Sequence, residues 1–176
     1  MNNTALREAF SWIKSILFAL IMVLICREFI FAPVKVDGKS MMPTFENNNR
    51  VMISKISKVE RFDLIVFRSP YSEDTQYIKR VIGLPGDTVE IENDILYINS
   101  KEVNENYLNT NKEDVPSGAL LTENLKVVVP NGYLYVLGDN RRNSSDSREF
   151  GVIKESSVIG EVKLRFYPID EITIPK

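Results

Sequence analysis

The chain has 176 residues, with 22 Lys and Arg against 24 Asp and Glu, giving a formal net charge of −2. This length suits one domain of ordinary size, and this charge argues against a nucleic-acid-binding protein. The sequence has no histidine and a single cysteine, Cys26, which excludes Ser-His-Asp triads, Cys-His dyads, His-ligated zinc and intramolecular disulfides. Acid–base chemistry near neutral pH therefore falls to Lys, Tyr, Asp or Glu with a shifted pKa.

A membrane-spanning helix is predicted near the start of the chain. An uncharged apolar run extends from Ser15 to Cys26. With its apolar flanks it predicts a helix over residues 12–32, which rises about 31 Å and matches the hydrocarbon thickness of a bilayer. Residues 1–11 are expected to form a short tail. A buried helix of a soluble protein would show a polar stripe, which this run lacks, and a cleavable signal sequence would have a small residue where bulky Ile30 lies.

The remaining residues, 33–176, show short alternating apolar runs separated by turn residues, which predicts a mainly β, antiparallel domain. Tight turns are expected at Asn93-Asp94 and Asn99-Ser100. A short helical stretch is expected only around Lys154–Val158, and the polar residues 104–126 are interpreted as an exposed loop or insertion. The predicted strands are Val34–Asp37, Arg50–Ile53, Leu64–Phe67, Gln76–Ile82, Thr88–Glu92, Leu96–Asn99, Tyr133–Leu137 and Val158–Phe166.

The first candidate site is the segment Gly38-Lys39-Ser40-Met41-Met42-Pro43-Thr44, which follows the first predicted strand. Ser40 lies where a strand gives way to a proline-fixed turn, so its hydroxyl can be exposed beside backbone N–H groups. Such a hydroxyl can act as a nucleophile with an oxyanion hole from its own main chain. The alternative is an ordinary turn serine.

The second candidate site is the segment Tyr77-Ile78-Lys79-Arg80-Val81-Ile82-Gly83. On a strand, Lys79 shares one face with Tyr77 and Val81, and burial there would lower its pKa until it can accept a proton. Arg80 is always protonated and cannot serve as that base. The alternative is a solvated lysine on an edge strand.

The third candidate is the loop from Gly138 to Arg148, in which charged, amide and hydroxyl side chains are dense. Its Asp and Arg residues could pair with one another and order the wall of a site. The alternative is a long solvated turn.

These features follow one another in an order that resembles the bacterial type I signal peptidases, also called leader peptidases, in their short Gram-positive form. The order is an apolar anchor, Ser-Met-Met-Pro-Thr, Tyr-Ile-Lys-Arg-Val-Ile-Gly-Leu-Pro-Gly-Asp, and Gly-Asp-Asn-Arg with Ser-x-Asp-Ser-Arg. The resemblance extends to Phe166-Tyr167-Pro168. It implies a membrane-bound serine endopeptidase, without metal or cofactor, that removes signal peptides from secretory preproteins after Ala-x-Ala-like sequences.

The resemblance also implies a role for each matching residue. Ser40 matches the nucleophile and Lys79 the general base of a Ser/Lys dyad that acts through an acyl-enzyme. Ser144 matches a hydroxyl that orients the lysine amine. Gly38 stands where some members carry an oxyanion-binding serine, which leaves backbone N–H groups of Ser40 and Gly38 for that task. The residues matching substrate pockets are Val36, Met41, Phe45, Tyr77 and Ile78, and those matching the structural framework are Arg80, Asp139, Arg141, Asp146 and Arg148.

The implied partners are secretory preproteins and the lipid bilayer, with no nucleic acid and with a monomer favoured. Basic residues are balanced on the two sides of the span, so charge does not fix its orientation. The resemblance implies a single-pass protein of the cell membrane, with a cytoplasmic N-terminus and an extracytoplasmic catalytic domain. The stretch from Ala32 to Ser40 reaches at most about 27 Å, which would hold the nucleophile near the membrane surface.

Two alternative functions remain open at this point. One is a self-cleaving Ser-Lys regulator of the repressor type, which would carry a DNA-binding domain or a soluble arm where this chain has an anchor. The other is a catalytically inactive, membrane-anchored β module that binds secreted proteins.

Overall fold

The computed structural model describes the backbone of residues 3–175 and the side chains of residues 7–72 and 74–175. It has an N-terminal helix followed by two antiparallel sheets. The mainly β architecture predicted from the alternating pattern is confirmed. The helices are α1 (Asn3–Phe29), α2 (Asn109–Glu113) and α3 (Ser147–Phe150), and 3-10 turns cover Asn106–Leu108, Glu155–Ser157 and Ile169–Glu171.

The strands form a seven-stranded sheet and a four-stranded sheet. The strands are β1 (Phe31–Lys35), β2 (Arg50–Ser54), β3 (Leu64–Ser69), β4 (Ser72–Gly83), β5 (Thr88–Glu92), β6 (Ile95–Ile98), β7 (Lys101–Val103), β8 (Leu125–Val128), β9 (Tyr133–Leu137), β10 (Ile153–Lys154) and β11 (Val158–Tyr167). The larger sheet has the order β1-β2-β11-β3-β4-β9-β10, and the smaller has the order β7-β6-β5-β8. The chain therefore enters the larger sheet at its edge, directly after α1.

The helix α1 has the properties of a membrane span. Among the described residues, Arg7–Phe29 is the one helix long and apolar enough to cross a bilayer. Its large apolar side chains have no protein neighbours to cover them: Trp12 is 71% exposed and Phe18 is 67% exposed. Because each such side chain gains about 1.5–3 kcal/mol when it leaves water, this helix requires an apolar surrounding such as lipid.

The predicted bounds of this helix were wrong at both ends. The helix ends at Phe29, not at residue 32, because Phe31–Lys35 pairs antiparallel with β2. Apolar residues at this junction fit a helix and a strand equally well, so the pattern could not separate them. The expected tail is helical from Asn3 onward, and its first two residues lie outside the described part of the chain.

Several predicted elements are confirmed and others are corrected. Both tight turns have positive φ at their two central residues, as hairpins of this kind require. The predicted strand 34–37 begins three residues earlier and ends two residues earlier, as β1. The helical stretch around residues 154–158 is a single 3-10 turn after β10. The sequence analysis missed β7, β8 and β10, which are short or pair at sheet edges.

The interpretation of residues 104–126 as an exposed loop or insertion was wrong in part, although most of these residues are exposed. The segment contains a 3-10 turn and α2, and it buries Glu105, Leu108, Leu121 and Thr122. Its polar composition misled the prediction because the buried carboxylate of Glu105 is paired with Arg141, a partner distant in sequence.

The hydrophobic core lies on both faces of the larger sheet. One cluster contains the turn after β1, and Ile78 of β4 packs against it. Another cluster fills the space between the two sheets. Members of the first cluster are Val36, Met41, Phe45, Val51, Ile53, Leu64, Val66 and Val162. This packing fixes the turn that carries Ser40 against β4, which carries Lys79.

Candidate active site

Ser40 lies in a tight turn that leaves the edge of the larger sheet. Gly38 has φ +95°, a left-handed conformation that glycine adopts without strain. Its N–H donates to Asn47 Oδ1 at 3.0 Å, and Met42 N donates to Lys39 O at 3.2 Å. The N–H of Ser40 itself is not engaged by any described residue. The turn thus leaves the backbone donor of Ser40 free beside its hydroxyl-bearing side chain.

Lys79 lies on β4 and points at the serine. Its Nζ donates to Ser40 Oγ at 2.7 Å and to Ile78 O at 3.1 Å. The residue is 3% exposed, and the ring centroid of Tyr77 is 5.4 Å from Nζ. Burial disfavours the ammonium form and lowers the pKa of Lys79 to about 8, although the nearby carboxylates of Asp146 and Asp139 oppose that shift. About a tenth of this amine is therefore uncharged at pH 7, against well under a thousandth for an ordinary lysine.

A buried ion pair lies directly behind the two reactive groups. Arg80 donates from Nε and Nη2 to the two oxygens of Asp139 at 2.9 and 2.7 Å, and both side chains are fully buried. Arg80 also donates to Phe62 O, and Thr44 Oγ1 donates to Asp139 Oδ2. This network ties the Ser40 turn, β4 and the loop after β9 together, because each contributes one member.

A second ion pair orders the loop after β9. Arg148 donates to both oxygens of Asp146, each at 2.7 Å, and Gly138 N donates to Asp146 Oδ2 at 3.0 Å. Burial opposes ionisation of Asp146, but the Arg148 guanidinium and the Gly138 N–H outweigh it, so its pKa lies below its usual value. The carboxylate is therefore charged at neutral pH and closes the loop on itself.

Arg141 forms a third buried pair and links the two sheets. Its Nη2 donates to Glu105 Oε1 at 2.5 Å, its Nε donates to Gly138 O at 3.0 Å, and its side chain is 1% exposed. The five residues assigned to the structural framework thus each form an ion pair, and all of them are buried except Arg148, whose side chain is 22% exposed. Their partner Glu105 belongs to the segment that was predicted to be an exposed loop.

The placement of Ser144 differs from the prediction. The amine of Lys79 is held by Ser40 and by the carbonyl of Ile78, whereas Ser144 Oγ is buried, makes no hydrogen bond of normal geometry with a described residue, and lies near the carboxylate of Asp146, whose pKa it helps to lower. The expected hydrogen bond from Ser144 to the lysine is therefore absent here. The hydroxyl nevertheless lies close to the nucleophile, since a Cβ added at Gly138 would contact both Ser144 and the backbone oxygen of Ser40.

The two reactive groups open onto a groove of about 550 Å³. Of the residues predicted to bind substrate, Val36, Tyr77 and Ile78 line this groove. Met41 and Phe45 do not line it: they are 1% and 0% exposed and pack in the core beneath the turn. Their predicted contact with substrate is corrected to support of the groove floor. The other lining residues are Val34, Lys35, Asp37, Ser40, Val66, Asp74, Thr75, Gln76, Lys79 and Ser145.

Sequence reasoning missed several residues that hold the site. Asn140 donates from its backbone to Ser40 O and from its side chain to Lys39 O, each at 3.0 Å. Asn140 and Thr44 lie inside the quoted motifs, so their motif positions were the available signal. Tyr107 and Asn111 lie far from any motif, and no local pattern could indicate that they contact Arg80 and Asp139.

Comparison with known proteins shows the family to which the chain belongs. Residues 9–167 match the family described as signal peptidase, peptidase S26. The chain belongs to the peptidase S26 family of signal peptidases. It is 42% identical to signal peptidase I S of Bacillus subtilis, covering 97% of this chain and 96% of that protein. It is 39% identical to signal peptidase IB of Staphylococcus aureus, covering 94% and 93% of the two chains.

A solved S26 relative shows the same fold. The crystal structure of a signal peptidase I from Enterococcus faecalis V583 superimposes with a TM-score of 0.58 at 43% sequence identity, covering 60% of this chain and 97% of that one. Membership of the family makes the chain a peptidase, and its N-terminal apolar helix fits a membrane-anchored protein. The family resemblance inferred from the four ordered motifs is thus confirmed.

Proposed function

We propose that this protein is a membrane-anchored serine endopeptidase that removes signal peptides from secretory preproteins, with Ser40 as nucleophile and Lys79 as general base. The observation that carries the proposal is the 2.7 Å contact between the buried Lys79 Nζ and Ser40 Oγ. An amine with a pKa near 8 can take a serine proton at working pH, whereas an ordinary lysine cannot.

The first half of the reaction forms an ester. As Ser40 Oγ attacks the scissile carbonyl carbon, the hydroxyl proton passes to the neutral amine of Lys79. The resulting oxyanion is stabilised by the Ser40 N–H, which no described residue engages. When the carbon–nitrogen bond breaks, the Lys79 ammonium returns the proton to the departing amine of the mature protein, and the signal peptide remains esterified to Ser40.

The second half releases the signal peptide. Lys79, neutral again, takes a proton from a water molecule that attacks the ester carbonyl, and the same proton restores the Ser40 hydroxyl when the ester bond breaks. The Gly38 N–H, which was predicted as a second oxyanion donor, is engaged by Asn47 Oδ1. The proposal therefore assigns oxyanion binding first to the Ser40 N–H, and the role of Ser144 in orienting the amine stays a prediction.

Substrate recognition is proposed to combine strand addition with a small-residue filter. The strand β1 lies at the edge of its sheet and leads directly to Ser40, so an extended preprotein can add hydrogen bonds beside it. The apolar floor formed by Val36 and Ile78 suits small apolar side chains. A preprotein with Leu in place of Ala just before the cleavage site is expected to be cleaved at least about 100-fold more slowly, by several kcal/mol of steric cost.

The membrane anchor supports a substrate that is itself tethered to the membrane. Ser40 follows the end of α1 by 11 residues, at most about 40 Å of extended chain. The cleavage site of a signal sequence emerges just beyond its own apolar segment, within that reach.

We assign a single-pass topology with the catalytic domain outside. Protease added to wall-free cells should degrade the domain without lysis, and protection until lysis would reverse that topology.

The test of function uses detergent-solubilised full-length protein and a purified preprotein. The unmutated protein is expected to release the signal peptide, and both Ser40→Ala and Lys79→Ala are expected to lose that activity. Matched controls are Ser156→Ala and Lys126→Ala, which replace exposed side chains away from the groove and should retain full activity. Unchanged cleavage by either dyad variant would reject the dyad, and no cleavage by the unmutated protein would favour an inactive binding module.

A further inference from the structure

One side chain from the mispredicted segment joins the two loops that form the candidate site. Asn111 lies on α2, and its Nδ2 donates to Met42 O at 3.1 Å and to Asp139 O at 2.6 Å. Met42 follows Ser40 by two residues, and Asp139 belongs to the buried ion pair behind the reactive groups. A carboxamide nitrogen carries two hydrogens, so this one group satisfies both carbonyl oxygens at once.

The segment that directly precedes the short helix carrying Asn111 is anchored by buried contacts. The guanidinium carbon of Arg80 lies 3.9 Å from the ring centroid of Tyr107, and Leu108 is 1% exposed. Glu105 accepts from both Arg141 and the Tyr107 hydroxyl. Because a cation over an aromatic face and a buried ion pair both resist displacement, α2 presents Asn111 from a fixed position.

The two bonds of Asn111 complete a clamp on the nucleophile turn. Asn140 holds the turn from one side through Lys39 O and Ser40 O, and Asn111 holds it from the other side through Met42 O. Both asparagines are tied to the loop that begins at Asp139. The turn is therefore held at three carbonyls, those of Lys39, Ser40 and Met42, which restrains the chain on both sides of the Ser40 hydroxyl that contacts Lys79.

We propose that Asn111 is a positioning residue that sets the turnover rate by holding the Ser40 turn in register with Lys79, an inference that rests on the proposed function. Reacting groups displaced by about 1 Å lose on the order of 100-fold in rate. The hydrogen-bond partners of Asn111, Met42 and Asp139, do not line the groove, and Asn111 does not line it either. Its loss is therefore expected to lower kcat and to leave KM and the pH midpoint of the lysine unchanged.

The experiment compares three variants of the full-length protein in detergent with a signal-peptide substrate. Asn111→Ala removes both bonds, Asn111→Asp keeps the shape but replaces the donor by an acceptor, and Asn111→Gln keeps the amide. We expect kcat per folded molecule to fall by about 10- to 100-fold in Asn111→Ala and Asn111→Asp. Asn111→Gln keeps the amide donors on a longer side chain and should retain more kcat than Asn111→Ala, since the donors carry the effect. The folded fraction is measured by thermal unfolding.

Asn109→Ala is the matched control, because Asn109 is exposed on the same short helix and should retain full kcat. Three results would overturn the proposal: kcat within about twofold in both Asn111→Ala and Asn111→Asp, a defect in Asn111→Gln equal to that of Asn111→Ala, or a loss explained entirely by a smaller folded fraction. Absence of cleavage by the unmutated protein would overturn the proposed function and this inference together. Cleavage by the unmutated protein with loss in Ser40→Ala supports the function whatever Asn111 does.

Discussion

A methyl group added at Gly138 is expected to disable the site through steric contact alone. The added Cβ would overlap Ser144 Oγ and lie 2.5 Å from the backbone oxygen of Ser40. Ordinary contacts between heavy atoms are about 3.5–4.0 Å, so the Ser40 turn must move by about 1 Å to admit the methyl group. No positive φ is involved at Gly138, unlike Gly38, and the effect therefore isolates displacement of the turn from backbone strain.

The magnitude follows from that displacement. A misplacement of about 1 Å costs on the order of 100-fold in rate, and overpacking of a filled site costs about 1–3 kcal/mol of stability. We therefore expect Gly138→Ala to fold, to unfold at a lower temperature, and to cleave a signal-peptide substrate about 100-fold more slowly. The assay is the initial rate of substrate cleavage per folded molecule, together with thermal unfolding.

Gly160→Ala provides the control for Gly138→Ala. A Cβ at Gly160 would lie 2.7 Å from the backbone oxygen of Ser54 and 3.1 Å from Ile53 Cδ1, and its nearest contacts include no atom of Ser40 or Ser144. It should lose a comparable amount of stability while each folded molecule keeps its cleavage rate. A Gly138→Ala protein with kcat within about threefold of the unmutated protein would refute the steric reasoning, as would equal rate losses in the two variants.

Two further variants test the energetics of the buried charges. Lys79 has a pKa of about 8 in the folded protein, against 10.5 for an ordinary lysine. Between these two pH values the unfolded chain binds more protons than the folded one. Burial of the Lys79 ammonium therefore lowers the free energy of unfolding, and this penalty is fully present below pH 8. Lys79→Met is therefore expected to raise the free energy of unfolding by about 3 kcal/mol at pH 7, and this gain should disappear near pH 10.5. Denaturant unfolding at several pH values measures the gain. A gain that does not depend on pH would contradict the lowered pKa of Lys79. Asp139→Ala would leave the buried Arg80 guanidinium unpaired, and it is expected to lower the free energy of unfolding by about 3–5 kcal/mol. Its control is Asp37→Ala, which removes an exposed ion pair with Lys35. This control should leave the free energy of unfolding nearly unchanged in the same measurement.

The β framework could be predicted from the sequence because its signals are local. Alternating apolar residues marked the long strands, and the Asn93-Asp94 turn carries the residue types that tolerate positive φ. The junction after α1 could not be resolved in this way. Phe31 and Ala32 extend an apolar helix as well as they begin a strand, and pairing with β2 decided the outcome.

The candidate site could be predicted only where its residues lie in motifs. Ser40 and Lys79 are 39 positions apart, and no periodicity joins them, so the motif order carried that prediction. Glu105 and Asn111 could not be found, because their roles depend on partners such as Arg141 and Asp139 that only the folded chain brings near. The polar composition of residues 104–126 predicted that they are exposed to solvent. Some of their polar groups are instead buried, because they are paired with partners from other parts of the chain.

The dependence of kcat/KM on pH tests the central claim most directly, because it titrates the free enzyme's base. With a Lys79 pKa of about 8, the rate should rise about tenfold per pH unit below that value and level off above it. The same profile should be found with different preprotein substrates, since it belongs to the amine beside Ser40. A rate that does not change through pH 8, or that rises only near the pKa of an ordinary lysine, would contradict an uncharged Lys79 as the base.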